Sequence, residues 1–241
     1  MKYTQVIDLF QRARKDQSLA VIEGIQALKH AVRFDAEIMQ ILSSDIALIR
    51  RLINDIAPDA SKKILSQIEV VEESTFNKLS PQPPRTKVIA LAKRRRYTGT
   101  DLDPAKPLVF LEDPRDLENI GAVIRVCAAA DIAGVCISGP ADVWHPAVIR
   151  GAAGLQYALP VLNDTLEAVC AKREVISLDP SGETIQNTVI QKGAVLIFGT
   201  ERYGISNELL KRSDATVRLP MKAGVSSLNL ATSVAATLYM M

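Results

Sequence analysis

Apolar positions along this chain recur at two spacings, and each spacing predicts an element. Val6, Leu9, Phe10 and Ala13 return every three or four residues, which predicts an amphipathic helix over residues 4–16. Leu19-Ala-Val-Ile22 is a short apolar run that predicts a strand, followed by a helix carrying Ile25, Leu28 and Val32. The pattern continues with a strand at Glu37–Leu42, a helix at Ile46–Ile53 and a strand at Gln67–Val71. A short capped helix from Ser74 to Leu79 and a strand at Lys87–Ala92 complete the first half, with Pro81, Pro83 and Pro84 breaking the chain between them. Residues 1–96 therefore read as one compact α/β domain. Residues 97–107 hold Gly, Thr, Asp and two prolines with little apolar content, and read as a linker.

Over residues 108–241 the strands become unbroken apolar runs. They are predicted at Leu108–Leu111, Gly134–Ser138, Tyr157–Val161, Val175–Leu178, Ala194–Phe198 and Thr216–Leu219. Helices are predicted at Asn119–Ala130, Thr165–Arg173, Asn207–Arg212 and Ser226–Met241. Continuous apolar strands alternating with helices point to a parallel sheet covered on both faces.

Composition sharpens this only in places. The chain has 241 residues, 48% of them apolar, enough for packed cores. Its first residues lack the apolar run of a signal peptide, and no stretch approaches the ~20 apolar residues of a spanning helix. Cys127, Cys136 and Cys170 have no metal-ligand spacing and read as reduced thiols of a cytoplasmic protein. The net charge of +2 hides an asymmetry: residues 1–100 hold 17 Lys/Arg against 11 Asp/Glu, and residues 101–241 hold 12 against 16. A basic half in front of an acidic one points to a polyanion as partner of the first.

The common catalytic signatures are missing. There is no Gly-x-Gly-x-x-Gly, no P-loop and no Gly-x-Ser-x-Gly elbow. His30 and His145 are far apart, so neither a metal pair nor histidine chemistry is indicated; Trp144-His-Pro146 reads as a surface turn. What remains are three glycine-containing stretches, each at a predicted strand end where α/β folds build ligand sites. Asn119-Ile-Gly-Ala-Val-Ile-Arg125 puts Gly121 inside a helix, where it costs roughly 1 kcal/mol. Gly199-Thr-Glu-Arg-Tyr-Gly204 brackets Glu201 with glycines, and Leu219-Pro-Met-Lys-Ala-Gly-Val-Ser-Ser-Leu-Asn229 ends on a polar pair. Taken singly, each has an ordinary explanation: Asn119 as a helix cap, Arg125 as a surface ion-pair partner, and residues 199–204 as a loop before a helix capped by Ser206.

Taken in order, the three stretches resemble motifs one, two and three of the SpoU (TrmH) family, in the SPOUT class of methyltransferases. The resemblance covers about residues 106–241. It implies a C-terminal trefoil-knotted α/β domain that binds S-adenosylmethionine and methylates ribose 2′-hydroxyls in RNA. Val21-Ile-Glu-Gly-Ile-Gln-Ala27 resembles the family's smaller N-terminal α/β RNA-binding domain. The resemblance makes Asn119 and Arg125 the pair that positions and activates the ribose, Glu201 the motif-two acid, and Ser227 and Asn229 the motif-three polar pair. Gly199, Leu219 and Leu228 fall where backbone groups hold the cofactor. One departure is Ala152, which stands where many members carry a serine.

Methyl transfer to ribose demands in-line positioning and removal of the hydroxyl proton. The resemblance nominates Arg125 as proton acceptor, although guanidinium holds its proton in nearly every setting. A true base aided by a substrate phosphate, and a clamp with water taking the proton, both stay open. Lys93-Arg-Arg-Arg96 is a candidate contact for RNA phosphate, or else a solvated charge run. Ribosomal RNA is favoured over transfer RNA, and a homodimer without metal is expected. The alternatives are a non-catalytic RNA-binding or assembly protein and a SPOUT enzyme acting on a base; retention of the polar positions and the Ser-Leu-Asn of motif three argue against them.

Overall fold

The structure, a computed structural model, describes residues 3–200 and 203–241, without the side chain of Tyr3. In chain order the elements are α1 (Tyr3–Ala13), β1 (Leu19–Glu23), α2 (Ile25–Arg33), β2 (Ile38–Ser43), α3 (Ile46–Ile56), α4 (Pro58–Leu65), β3 (Ile68–Val70), α5 (Glu73–Phe76) and β4 (Val88–Lys93). There follow β5 (Leu108–Leu111), α6 (Leu117–Ala129), β6 (Gly134–Ile137), α7 (Pro146–Gly151), β7 (Val161–Asn163), α8 (Leu166–Val169) and β8 (Val175–Thr184). The chain ends with β9 (Val195–Phe198), α9 (Asn207–Arg212), β10 (Ala215–Arg218) and α10 (Leu230–Met240). It divides into two compact units: the residues up to Arg95 together with Trp144–Ala158, and Arg96–Val143 together with Leu159–Met241.

The first unit is built on a four-stranded sheet in the order β1-β4-β2-β3, antiparallel except for the β2–β3 pair. Alternate residues bury opposite faces, as strand geometry requires. Val21, Leu42, Ile89 and Leu91 join Val6, Phe10 and Ala13 of α1 in one core, closed by Phe76 and Leu79. Two helices were not legible beforehand, and both carry proline in their first turn: Pro58 in α4 and Pro146 in α7. There the missing N–H costs nothing and the fixed φ suits the helix. His145 is the N-cap of α7, its Nδ1 accepting from Ala147 N at 3.1 Å, which gives the Trp-His-Pro run a structural role.

The second unit carries a six-stranded, wholly parallel sheet in the order β10-β8-β9-β5-β6-β7. Its core on one face gathers Leu108, Phe110, Cys136, Val195 and Ile197. Leu102 is buried in that core and Tyr97 packs against it, so residues 97–107 lie on this unit, with a tight turn at Gly99–Asp101. The cysteines are free thiols; burial pushes Cys127 up strongly and Cys136 to about 12, which leaves both unreactive.

The expected strand at Tyr157–Val161 is corrected. The run forms a tight 3-10 turn at Leu155–Tyr157, and only Val161–Asn163 pairs with β6. The reason is that Tyr157 is buried in the first unit rather than in a sheet. Its ring meets Trp144 edge-on at 5.0 Å and lies beneath the Arg95 guanidinium at 5.7 Å, and its hydroxyl donates to Lys93 O at 2.9 Å. Gly154 makes this docking possible. It sits at φ +78°, and a Cβ there would lie 2.3 Å from Ala27 O, so backbone meets backbone.

The same segment supplies one member, Arg150, of a charge cluster around a buried carboxylate. Glu23, its side chain 3% exposed, accepts from Arg14 at 2.6 Å, Ser80 Oγ at 2.7 Å and Arg150 at 3.1 Å. Removing the carboxylate would strand the Arg14 guanidinium, whereas Arg150 is half-exposed and can hydrate. Glu23→Ala is therefore expected to lower stability in urea unfolding by about 3 kcal/mol, and Arg150→Ala by less than about 1 kcal/mol. Equal losses would contradict this ranking of the buried carboxylate above its half-exposed partner Arg150.

Candidate active site

All strands of the second sheet run the same way, so their C-terminal ends share one edge. The three glycine-containing stretches follow β5, β9 and β10 and converge there. The first enters α6, which starts at Leu117 rather than at the expected Asn119. Asp116 is the cap, accepting from Glu118 N at 2.8 Å and Asn119 N at 3.0 Å. Asn119 is thereby relieved of capping, and its side chain turns to the third stretch.

That third stretch stays extended longer than expected. α10 begins at Leu230, not Ser226, because Asn229 is its N-cap. Asn229 Oδ1 accepts from Ala231 N at 2.9 Å and Thr232 N at 3.3 Å. With the oxygen so engaged, Nδ2 faces away and donates to Asn119 Oδ1 at 2.9 Å. One carboxamide thus ends the loop, starts α10 and ties motif three to motif one. Leu230 and Val234 are buried, and α10 packs on α6, on which Gly121 is also buried.

The second stretch leaves β9 as a closed turn. Thr200 and Gly204 exchange two backbone bonds of 3.0 Å each, and Gly204 takes φ +66°. Gly199 serves close approach: a Cβ there would lie 2.0 Å from the Gly204 carbonyl carbon. Ser206 caps α9 as expected, and its own N–H donates to Glu112 at the end of β5 at 2.7 Å. Glu201 lies outside the described residues.

Between the second and third stretches is an open pocket of about 630 Å³. It is lined by Gly199, Leu219, Leu228, Ser227 and Asn229 from the expected set, together with Leu178, Phe198 and Met221. Asp179 and Arg218 also line it and were not singled out beforehand. The Asp-Pro-Ser-Gly run after the β8 apolar stretch is the turn signal that marks the first of them. Arg125 is placed differently. It is exposed on α6, six residues past Asn119, hence roughly 120° around the helix and about 9 Å along it, and it does not line the pocket.

The basic run is mostly occupied within the chain. Lys93 pairs with Glu37 at 2.6 Å, and Arg94 Nε donates to Leu19 O at 2.6 Å. Arg95 donates to the carbonyls of Tyr157, Asp35 and Phe34. Arg96 is exposed, with no ion pair among the described residues. Ala152 is buried at the end of α7. Among the described residues no cluster of three or more His, Cys, Asp or Glu could hold a metal ion, and no helix is long and apolar enough to cross a membrane.

The chain is 23% identical to a 23S rRNA (adenosine(1067)-2′-O)-methyltransferase of Streptomyces laurentii, over 98% of this chain and 90% of that protein. It is also 23% identical to a 23S rRNA (guanosine(2553)-2′-O)-methyltransferase of Bacillus subtilis, over 95% and 90%. In fold it is similar to the SpoU methyltransferase AviRb of Streptomyces viridochromogenes, with a TM-score of 0.78 at 22% identity over 99% of this chain and 95% of that one. An AdoMet-bound rRNA methyltransferase from Sinorhizobium meliloti gives a TM-score of 0.78 at 20% identity, covering 99% and 92%. The sequence profile of the SpoU rRNA methylase family matches residues 106–239. With more than half of its length matched, and with the fold to go with it, this chain belongs to the SpoU rRNA methylase family.

Proposed function

We propose that this chain transfers a methyl group from S-adenosylmethionine to a ribose 2′-hydroxyl of ribosomal RNA. The observation that carries the reading is the Asn229–Asn119 bond beside the pocket, which joins the motif-one and motif-three polar groups into one site. The 2′-O-methyltransferase names of full-length relatives support the substrate.

The pocket fits the cofactor in size and in lining. About 630 Å³ is within the range of small-molecule sites, and its wall combines Leu178, Phe198, Leu219, Met221 and Leu228 with a few polar groups. Gly199, Leu219 and Leu228 would hold the adenosyl part. When bound, the cofactor would supply an electrophilic methyl on a sulfonium sulfur, to be taken by the ribose 2′-oxygen in exchange for the hydroxyl proton, with a neutral thioether left behind. Asn119 and Asn229 orient the ribose, Ser227 adds a hydroxyl at the pocket wall, and Glu201 is the motif-two acid. Because both asparagines are locked by hydrogen bonds before substrate arrives, little ordering remains to be done in the transition state.

Arg125 takes the proton, with a substrate phosphate to aid it, or clamps the ribose while water takes it. Arg125 does not line the pocket, which supports its acting in the site of a second protomer, with the chain a homodimer through α6 and α10. Leu238 is half-buried and Tyr239, Met240 and Met241 are exposed, an apolar end to α10 that a partner copy would cover. The basic first unit supplies the RNA grip, with positive charge from Lys93, Arg94 and Arg95 and from Arg96, the first residue of the second unit. The enzyme works in the cytoplasm with its RNA.

Tritium transfer from labelled cofactor to 23S rRNA tests these roles. Asn229→Asp keeps a capping oxygen but loses the Nδ2 donor, so it is expected to melt close to the wild type while turnover falls at least tenfold. Asn229→Ala loses the cap as well, at about 1 kcal/mol. Full turnover in Asn229→Asp would remove the Asn119–Asn229 pair from the mechanism.

Arg125→Ala is expected to lower single-turnover methylation by roughly 10²–10⁴-fold. Hybrid dimers of Arg125→Ala with Asn229→Ala protomers are expected to regain activity, since one of their two sites has both residues. Hybrids as inactive as the parents, or a monomeric mass at micromolar concentration, would contradict action across a dimer.

A further inference from the structure

The pocket carries a carboxylate that none of these roles uses. In the β8–β10 pair Thr216 faces Ser177, but its neighbour Val217 faces Glu183. Residues 178–182 therefore bow out of the ladder, and such bulges re-aim side chains. The bowed backbone runs against β10 so closely that a Cβ on Gly182 would lie 2.5 Å from Thr216 backbone atoms. At the start of the bulge Leu178, Asp179 and Pro180 all line the pocket.

Asp179 is fixed there. Its Oδ1 accepts from Ser181 N at 2.9 Å and Ser181 Oγ at 2.6 Å. Its Oδ2 has no hydrogen-bond partner among the described residues and is turned toward the second stretch, 3.9 Å from where a Cβ on Gly204 would lie. Among the described lining residues it is the only acid. The one cation among the described lining residues, Arg218, donates to Gly182 O at 3.1 Å; Glu183 is held below the usual carboxylate range first by the Thr184 N–H and the Asn187 side chain, and least by Arg218. Asp179 is thus a half-buried negative charge on the pocket wall that makes no ion pair among the described residues.

We propose that Asp179 is a specificity-determining residue that reads the positive charge of the cofactor. The inference rests on the cofactor reading above. Substrate and product of the methyl transfer share the adenosine and the amino-acid portion, and they differ by one methyl and one unit of charge. A sulfonium becomes a neutral thioether. A fixed carboxylate on the wall of the same pocket would attract the first and gain nothing from the second, so it would favour loading before the reaction and release after it. The attraction is moderated by the open side of the pocket and by salt, which places the discrimination at roughly 3- to 30-fold.

Calorimetric titration of the full chain with S-adenosylmethionine and with S-adenosylhomocysteine tests this without any turnover. Asp179→Asn keeps Oδ1 for Ser181, and its melting temperature reports whether the bulge is intact. It is expected to weaken S-adenosylmethionine roughly 3- to 30-fold and to leave S-adenosylhomocysteine within about twofold. Asp179→Glu, which restores the charge, is expected to recover most of the discrimination. Equal weakening of both ligands would overturn the proposal, because the side chain would then bind a part they share. Unchanged affinity for both would overturn it as well. A wild-type chain that binds neither ligand would instead defeat the cofactor reading on which it stands.

Discussion

The side-chain amide of Asn229 is the constraint on which the proposed site in the second unit depends. An amide has one accepting end and one donating end, and here both are committed. Two backbone N–H groups of α10 take the oxygen, which fixes the flip and sends Nδ2 to Asn119. Without the cap, α10 would have unpaired donors and the preceding loop would have no defined end. Without the donor, motif one and motif three would be neighbours only through α6–α10 packing. The capping that makes the helix is the same bond set that orients the proposed ribose-binding pair.

The rest of the site depends on the sheet. Parallel strands deliver their C-terminal ends to one edge, so segments far apart in sequence meet without long-range design of the loops. The close approach of Gly199 to Gly204 then shapes one wall, and the bulge after Ser177 shapes another. The first unit uses an analogous device for a different purpose. Gly154 lets residues 144–158 lie backbone to backbone on α2, and the Glu23 cluster holds them by charge. A segment that the chain places between β6 and β7 is in this way built into the N-terminal unit.

Periodicity located most of the elements, because an unbroken apolar run such as Leu108–Leu111 has only a buried strand as its natural outcome. It failed where burial came from elsewhere. Leu155–Val161 is as apolar as a strand, yet Tyr157 is buried by Trp144 and Arg95, contacts with no local signature. Of the proposed site, the asparagines and glycines were legible through order and resemblance. Their division of labour was not: Asp116 caps α6, freeing Asn119, and only coordinates reveal which of two nearby acceptors takes the N–H groups. Asp179 escaped notice because register shifts between distant strands leave no trace in either sequence alone. The basic run, open in the sequence between RNA contact and solvated charge, has Arg94 and Arg95 donating to main-chain carbonyls, contacts that no local pattern announces.

The central claim is that the joined Asn119–Asn229 pair and its pocket form one ribose-methylating site for ribosomal RNA. Mapping every 2′-O-methyl in ribosomal RNA from cells lacking this protein tests it most directly. The account predicts that a ribose methyl disappears from 23S rRNA and returns when the wild-type chain is supplied. An unchanged ribose map, or loss of a methyl from a base instead, would contradict it.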